Sequence, residues 1–217
     1  MLRDAGVAMI KEQLAFRTTL DSSIVTYLQF AQQTLEKAPT KPWFLISEDS
    51  FATLTAGEER VALPGDFLQE VEDATFKFRP SDWSVDNDNE VDLIKDEYDV
   101  LRKDFRAREV APGEPQAYAL LGSYFRVFPV PDDAYQVRLI YYKKGQLLTT
   151  NIENEWLANI PLLLLGSAGQ LMANPVRDKT AFDTFGQWIA TGLKLLHSQD
   201  VSREMANRVM QIGGPSA

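Results

Sequence analysis

The chain contains no cysteine and a single histidine, His197. Without thiols there is no disulfide, no thiolate nucleophile, no iron–sulfur ligand and no Cys/His zinc site. The missing cysteines fit a reducing compartment. Basic residues are also in short supply. Against 31 Asp and Glu stand 22 Lys and Arg, a formal charge of -9, with a pI near 4.7. Sequence-independent grip on nucleic acid needs Lys and Arg to neutralise phosphates, so this balance opposes it, and an acidic surface beside DNA would discourage sticking. Long apolar runs are lacking too. The longest, Ile160 to Leu165 continuing past Gly166 to Met172, is interrupted by Pro161, Ser167 and Gln170. It falls short of the roughly 20 residues that a membrane helix requires. The first twelve residues carry Arg3, Asp4, Lys11 and Glu12 and have no apolar signal core. No membrane association is expected. There is no Walker A loop, no G-x-G-x-x-G and no internal repeat.

What is present suits a globular protein. The 217 residues are 45% hydrophobic and 24% charged, enough for one good core or for one compact domain bearing a smaller lobe. Asp21 or Ser22 can cap a helix whose apolar positions are Ile24, Tyr27, Leu28, Ala31 and Leu35. Upstream, Val7, Ile10, Leu14 and Leu2 suggest an earlier helix broken near Thr18 and Thr19. After Pro39 and Pro42 the texture changes to short β-like runs, Trp43–Ile46, Arg60–Leu63 and Thr75–Phe78, then a polar acidic loop from Ser81 to Asp92. A brief helix is expected over 97–106, with Tyr98, Leu101 and Phe105 on one face. Tyr118–Phe128 and Tyr135–Lys143 flank Pro129-Val130-Pro131-Asp132-Asp133 and read as a hairpin. Pro161 opens a buried helix to about Ala173. Asn174-Pro175 breaks it, and a further helix carries Phe182, Phe185, Ile189, Leu193 and Leu196. The expected class is α+β, a bundle of N- and C-terminal helices with an inserted small β-sheet lobe and an extended C-terminal tail. The divisions are 1–40, N-terminal bundle helices; 41–150, the β-rich lobe; 151–198, C-terminal bundle helices; and 199–217, a tail.

Chemical motifs are thin. Counted from Asp86, the residues Asp86, Asp88, Glu90, Asp92 and Glu97 fall on the oxygen-donating positions of an EF-hand loop, but Val91 stands where that loop needs Gly. A β-branched residue resists the positive φ required, so a solvated acidic loop is the expected reading. Leu165-Gly166-Ser167-Ala168-Gly169 and Leu121-Gly122-Ser123-Tyr124 do not form a nucleophile elbow. His197 reads as a helix C-terminal residue favoured by the macrodipole. No catalytic, cofactor-binding or metal-binding residue is expected. In the tail, Val201, Met205, Val209 and Ile212 share one helical face, with Arg203, Glu204, Asn207 and Arg208 elsewhere. Such a segment either folds back on its own core or docks into a groove of another chain.

Several strings, in order, resemble the bacteriophage head–tail adaptor (connector) proteins of short-tailed and related tailed phages. They are Val61-Ala62-Leu63-Pro64-Gly65-Asp66-Phe67, Tyr98-Asp99-Val100-Leu101, Gly113-Glu114-Pro115-Gln116-Ala117-Tyr118, Phe125 to Asp132, Tyr135 to Tyr142, and Asn154-Glu155-Trp156-Leu157, within roughly residues 20 to 195. The resemblance implies a structural virion protein, not an enzyme and without a cofactor. It implies a homo-oligomeric ring, twelve-fold in that family, at the portal–tail junction, assembled in the host cytoplasm. Such a ring binds the portal protein and downstream tail proteins, and DNA passes through its channel without specific binding. The family's C-terminal extension reaches the portal, which makes Val201, Arg203, Met205, Arg208, Val209 and Ile212 the expected docking residues. Trp83, Tyr124 and Tyr142 are candidates for ring contacts. The alternatives are another head-completion or tail-terminator virion protein, a carboxylate-based hydrolase or a calcium-binding module.

Overall fold

The computed structural model describes residues 1–14, 21–39, 41–71, 76–80, 83, 89–106, 110–175 and 177–212, with only the backbone at 21, 106 and 204–212. In chain order the elements are helices α1 (Arg3–Gln13) and α2 (Asp21–Glu36), then strands β1 (Ile46–Leu54), β2 (Arg60–Ala62), β3 (Phe67–Glu70), β4 (Lys77–Arg79), β5 (Val91–Asp92) and β6 (Ile94–Lys95). A single turn α3 (Tyr98–Leu101) precedes strands β7 (Ala117–Leu121), β8 (Tyr124–Phe128) and β9 (Tyr135–Lys143). Helices α4 (Glu155–Asn159), α5 (Pro161–Ala173) and α6 (Lys179–Ile212) close the chain. The fold is α+β, as the segment pattern predicts. It divides into a helical unit, Met1–Leu45 with Lys144–Ala217, and a β unit, Ile46–Lys143.

Helix α5 is the centre of the helical unit. It is apolar nearly all round, it buries Leu163, Leu164, Leu165, Ala168, Met172 and Ala173, and α1, α2, α4 and α6 pack around it. Pro161 begins it at a position where a missing N–H costs no hydrogen bond. Ile24, Leu28 and Ala31 of α2 and Ile10 and Leu14 at α1 are fully inside, as their spacing predicts.

The segment from Lys144 to Asn154 has no regular structure, so its polar backbone needs partners from side chains. Helix α2 supplies them. Gln32 Nε2 donates to Gly145 O (2.9 Å), Gln29 Nε2 donates to Leu148 O (3.2 Å), and Gly145 N donates to Glu36 Oε1 (2.9 Å). Asn154 Nδ2 bonds Gln146 O and Gln32 Oε1, while its own Oδ1 caps α4 by accepting from Leu157 N (3.0 Å). Trp156 Nε1 donates to the same Glu36 oxygen (3.2 Å). Gln32, Glu36 and Asn154 are the buried polar residues of the chain as described.

The β unit holds two sheets. One runs β1-β9-β4-β5, with β3 also paired to β9; the other runs β2-β8-β7-β6. Both contribute to one core, in which Leu54, Phe76, Phe78, Tyr118, Phe125, Val127, Val137, Leu139 and Tyr141 are buried. Along β9, Tyr135, Val137, Leu139 and Tyr141 face inward and alternate with more exposed residues, the period expected of a half-buried strand.

Three expectations are corrected here. The hairpin across Pro129–Asp133 does not form, because β8 and β9 lie in different sheets. The hairpin is instead β7–β8, closed by the two-residue turn Gly122-Ser123 with Gly122 at φ 65°. Pro129 and Pro131 supply no N–H to a ladder, so the chain leaves one sheet there and enters the other. Trp43–Leu45 is a short 3-10 turn, and the strand begins after it at Ile46. The stretch 97–106 is one α turn followed by a π-type segment, Arg102–Arg106, although Tyr98, Leu101 and Phe105 do pack together on Phe128.

Buried tyrosines give the β unit a predictable alkaline limit. Tyr135 donates to Asp132 (2.6 Å), and that bond, with burial, pushes its phenol up to about 12. Burial and a bond to Glu70 raise Tyr118, and burial raises Tyr141. The unfolded chain ionises tyrosine near pH 10, roughly, before the folded one does, so this stabilisation is complete below that pH. It is lost as pH climbs toward the folded value of about 12. Thermal melts across this range should therefore fall more steeply for the native chain than for Tyr135→Phe. Equal slopes would contradict the assignment.

Candidate functional site

The described residues of the acidic stretch are held by the protein's own cations and by strand pairing. Glu90 is largely buried and is committed to two cations, Arg79 Nε at 2.7 Å and Arg138 Nη2 at 2.7 Å. Arg79 is itself stacked on Phe51 and Trp83, 4.2 Å and 3.7 Å from their ring centres. Val91 and Asp92 are extended in β5, paired with β4, and Asp92 meets Lys77 (3.2 Å), so the sharp turn of a calcium loop is absent where it would be needed. Asp86 and Asp88 lie outside the described residues. Among the described residues no group of three or more His, Asp or Glu could hold a metal ion, and no helix is long and apolar enough to cross a membrane.

The two glycine-flanked serines have structural places. Ser167 Oγ turns back to Leu163 O (2.7 Å) within α5, and Ser123 sits in the β7–β8 turn. His197 is exposed in the middle of α6, which runs on to Ile212, so the macrodipole explanation for it is overturned.

The strings that carry the family resemblance act as fasteners. Asp66 accepts from Tyr141 OH (2.9 Å) while the Phe67 ring stacks on Tyr141 at 5.2 Å, which ties the loop after β2 to the centre of the other sheet. Tyr98 OH and Glu59 both accept from Arg126 Nη1, at 2.7 Å and 2.6 Å. Asn154 and Trp156 carry the joint to α2 described above. A carboxylate or aromatic at each of these places has a specific partner elsewhere in the chain.

The proposed ring-contact aromatics are occupied. Trp83 covers Arg79, Tyr124 lies under Arg60 (3.8 Å), and Tyr142 is half-buried within paired β9. Among the described residues, the exposed large apolar side chains of the β unit are Phe51, which shares Arg79 with Trp83, and Val91, Ile94, Val100 and Val110. Phe51, Val91 and Ile94 lie on β1, β5 and β6, three of the strands at which the sheets end.

The C-terminal segment is helical and continuous with α6. Asp178 starts that helix by accepting from Ala181 N (3.0 Å), and no proline interrupts it before Ile212, so no new element begins at Gln199. Among its described residues up to Arg203, the buried ones, Ala181, Phe185 and Gly192, all fall in its first half. From Leu193 to Arg203 none is buried, and Leu193 and Leu195 are 50% and 43% exposed. Of the expected docking residues, Val201 is half-buried and Arg203 is exposed, with its guanidinium 4.1 Å from the centre of the Trp43 ring. Met205, Arg208, Val209 and Ile212 are on helical backbone, and their side chains lie outside the described residues.

Sequence reasoning missed Trp43 as a partner of this segment, and nothing local signals it. It also missed Gln32 and Glu36. They continue the buried row of Ile24 and Leu28 at four-residue steps, and a polar residue on an apolar row is a readable sign of a buried hydrogen-bonded joint.

No curated protein matches the chain. The family described as SU10 adaptor protein matches residues 2–210, nearly the whole length and through the helical segment beyond Ser198, and the chain therefore belongs to this family of phage head–tail adaptors.

Proposed function

We propose that this phage adaptor protein is a structural subunit of a homo-oligomeric ring between portal and tail, and that the end of α6 is the part that docks on the portal. The observation that carries the reading is the second half of α6. From Leu193 to Arg203 no residue of this helix is buried, and a helix with little packing is marginal in water, since helices in proteins owe most of their stability to packing. Here about 30 Å of helix follows Gly192, with apolar residues at Leu193, Leu195 and Val201. Such a helix suits a groove on another protein.

A closed ring of one chain needs two different faces that fit each other. The sheet-edge residues Phe51, Val91 and Ile94 are the side chains we assign to that contact. The acidic balance of the chain favours passage of DNA through the ring without adhesion. Downstream tail proteins would attach to the same ring. Neither a cofactor nor a reaction is part of this reading.

The test mixes the whole chain, and a form ending at Ser198, with portal rings. The whole chain should bind with a defined copy number by native mass spectrometry, and the truncated form should lose at least tenfold in affinity. Equal binding by the two forms would refute docking through α6.

A further inference from the structure

Around Ser202, α6 meets the ring of Trp43. Ser198, Gln199, Ser202 and Arg203 line a cleft of about 420 Å³ together with Trp43. The two sides differ in how firmly they are held. The Trp43 ring meets Phe44 edge-on at 5.8 Å, Phe44 meets Trp156 edge-on at 5.2 Å, and Trp156 is bonded to buried Glu36. Trp43 is therefore tied into the bundle core. On the α6 side no residue from Leu193 to Arg203 is buried.

The contact is also unfinished. The Trp43 indole N–H and the side-chain oxygen of Gln199 are both shielded from solvent, and neither has a hydrogen-bond partner among the described residues. An orphaned donor and an orphaned acceptor work against closure, while the stacking of Arg203 on Trp43 works for it. These opposed terms weaken the contact, and opening it returns both polar groups to water or to a partner.

We infer that Trp43 and Arg203 form a releasable clasp, which parks the end of α6 on its own bundle in the free subunit and lets go when that helix engages a partner protein. The inference rests on the reading of this segment as a docking helix. Its consequence is timing: the helix is held back until a partner surface competes for it.

The experiment is amide hydrogen exchange on the whole free chain, comparing R203Q and W43L with the native sequence. Amides of 199–212 should exchange at least threefold faster in both variants, with those of α5 unchanged. The double variant should go no further than either single one, because both remove the same contact. W43L, which leaves the docking residues intact, should also associate with portal rings faster. Unchanged exchange at 199–212 in R203Q, a substitution at an exposed position that leaves the core alone, overturns the clasp even if W43L fails to fold. The two ideas fail separately. Loss of portal binding on truncation with unchanged exchange would leave docking standing without a clasp, and the reverse pattern would leave a clasp on a helix that does not dock.

Discussion

Glu36→Ala is expected to lower the stability of the helical unit by about 2–4 kcal/mol, with Glu36→Gln losing less than half of that. One oxygen of Glu36 accepts from Gln32 Nε2 (2.9 Å), Gly145 N (2.9 Å) and Trp156 Nε1 (3.2 Å). Alanine would strand the Gly145 amide and the Trp156 indole in a place that water does not reach, since Glu36 is only 5% exposed. Each stranded donor costs about 1–3 kcal/mol, more than a typical bond contributes when made. Glutamine retains a carbonyl oxygen of the same reach and so retains acceptor capacity. Water entering the joint would moderate the loss, which is why the lower end of the range is included. Urea unfolding followed by tryptophan fluorescence reads the effect directly. A loss below about 1 kcal/mol for Glu36→Ala would mean that the joint is not what fastens residues 144–156 to α2.

The second large effect is a reversal of sign between two glycines of one helix. In an exposed helix, Gly→Ala stabilises by up to about 1 kcal/mol, because alanine has less backbone freedom to lose. At Gly186 a Cβ would meet only Gln170 Nε2 at 3.5 Å, an ordinary contact, so Gly186→Ala should follow that rule. At Gly192 a Cβ would lie 2.7 Å from Leu163 N and 2.8 Å from Leu163 Cα. Those atoms are the backbone of the first turn of α5, and no side chain can rotate out of the way. Gly192→Ala should therefore destabilise by about 1–3 kcal/mol in spite of its better helix propensity. Equal and favourable shifts in both variants would show that α5 and α6 do not approach this closely. The close approach also fixes the α6 backbone against α5 at Gly192, and from there to Arg203 no residue of α6 is buried.

Much of this was legible before any coordinates. The bounds of α5 follow from Pro161 and from Asn174-Pro175, and the inward faces of α1, α2 and β9 follow from their apolar periods. Family membership was readable from strings such as Leu63-Pro64-Gly65-Asp66-Phe67. Strand β1 was harder to see, because Ser47 to Ser50 is polar and its ladder slips there, leaving Glu48 and Asp49 exposed. The hairpin across Pro129–Asp133 misled because a proline-rich turn between two apolar strands serves equally well to join two sheets. The docking residues were chosen from spacing and resemblance, and of these only Arg203 acquires a partner among the described side chains.

By itself the sequence determined what is local. Periods of apolar residues, caps, breakers and missing residue types set the helices, the strands and the excluded chemistry, because each depends on neighbours a few positions away. Tertiary structure alone decided which strand lies beside which, that Glu36 is met by Gly145 and Trp156, and that Arg203 rests on Trp43. Many such contacts join positions far apart in the chain, Glu36 and Gly145 among them, and whether one forms depends on how every other element packs, which no short window of residues contains.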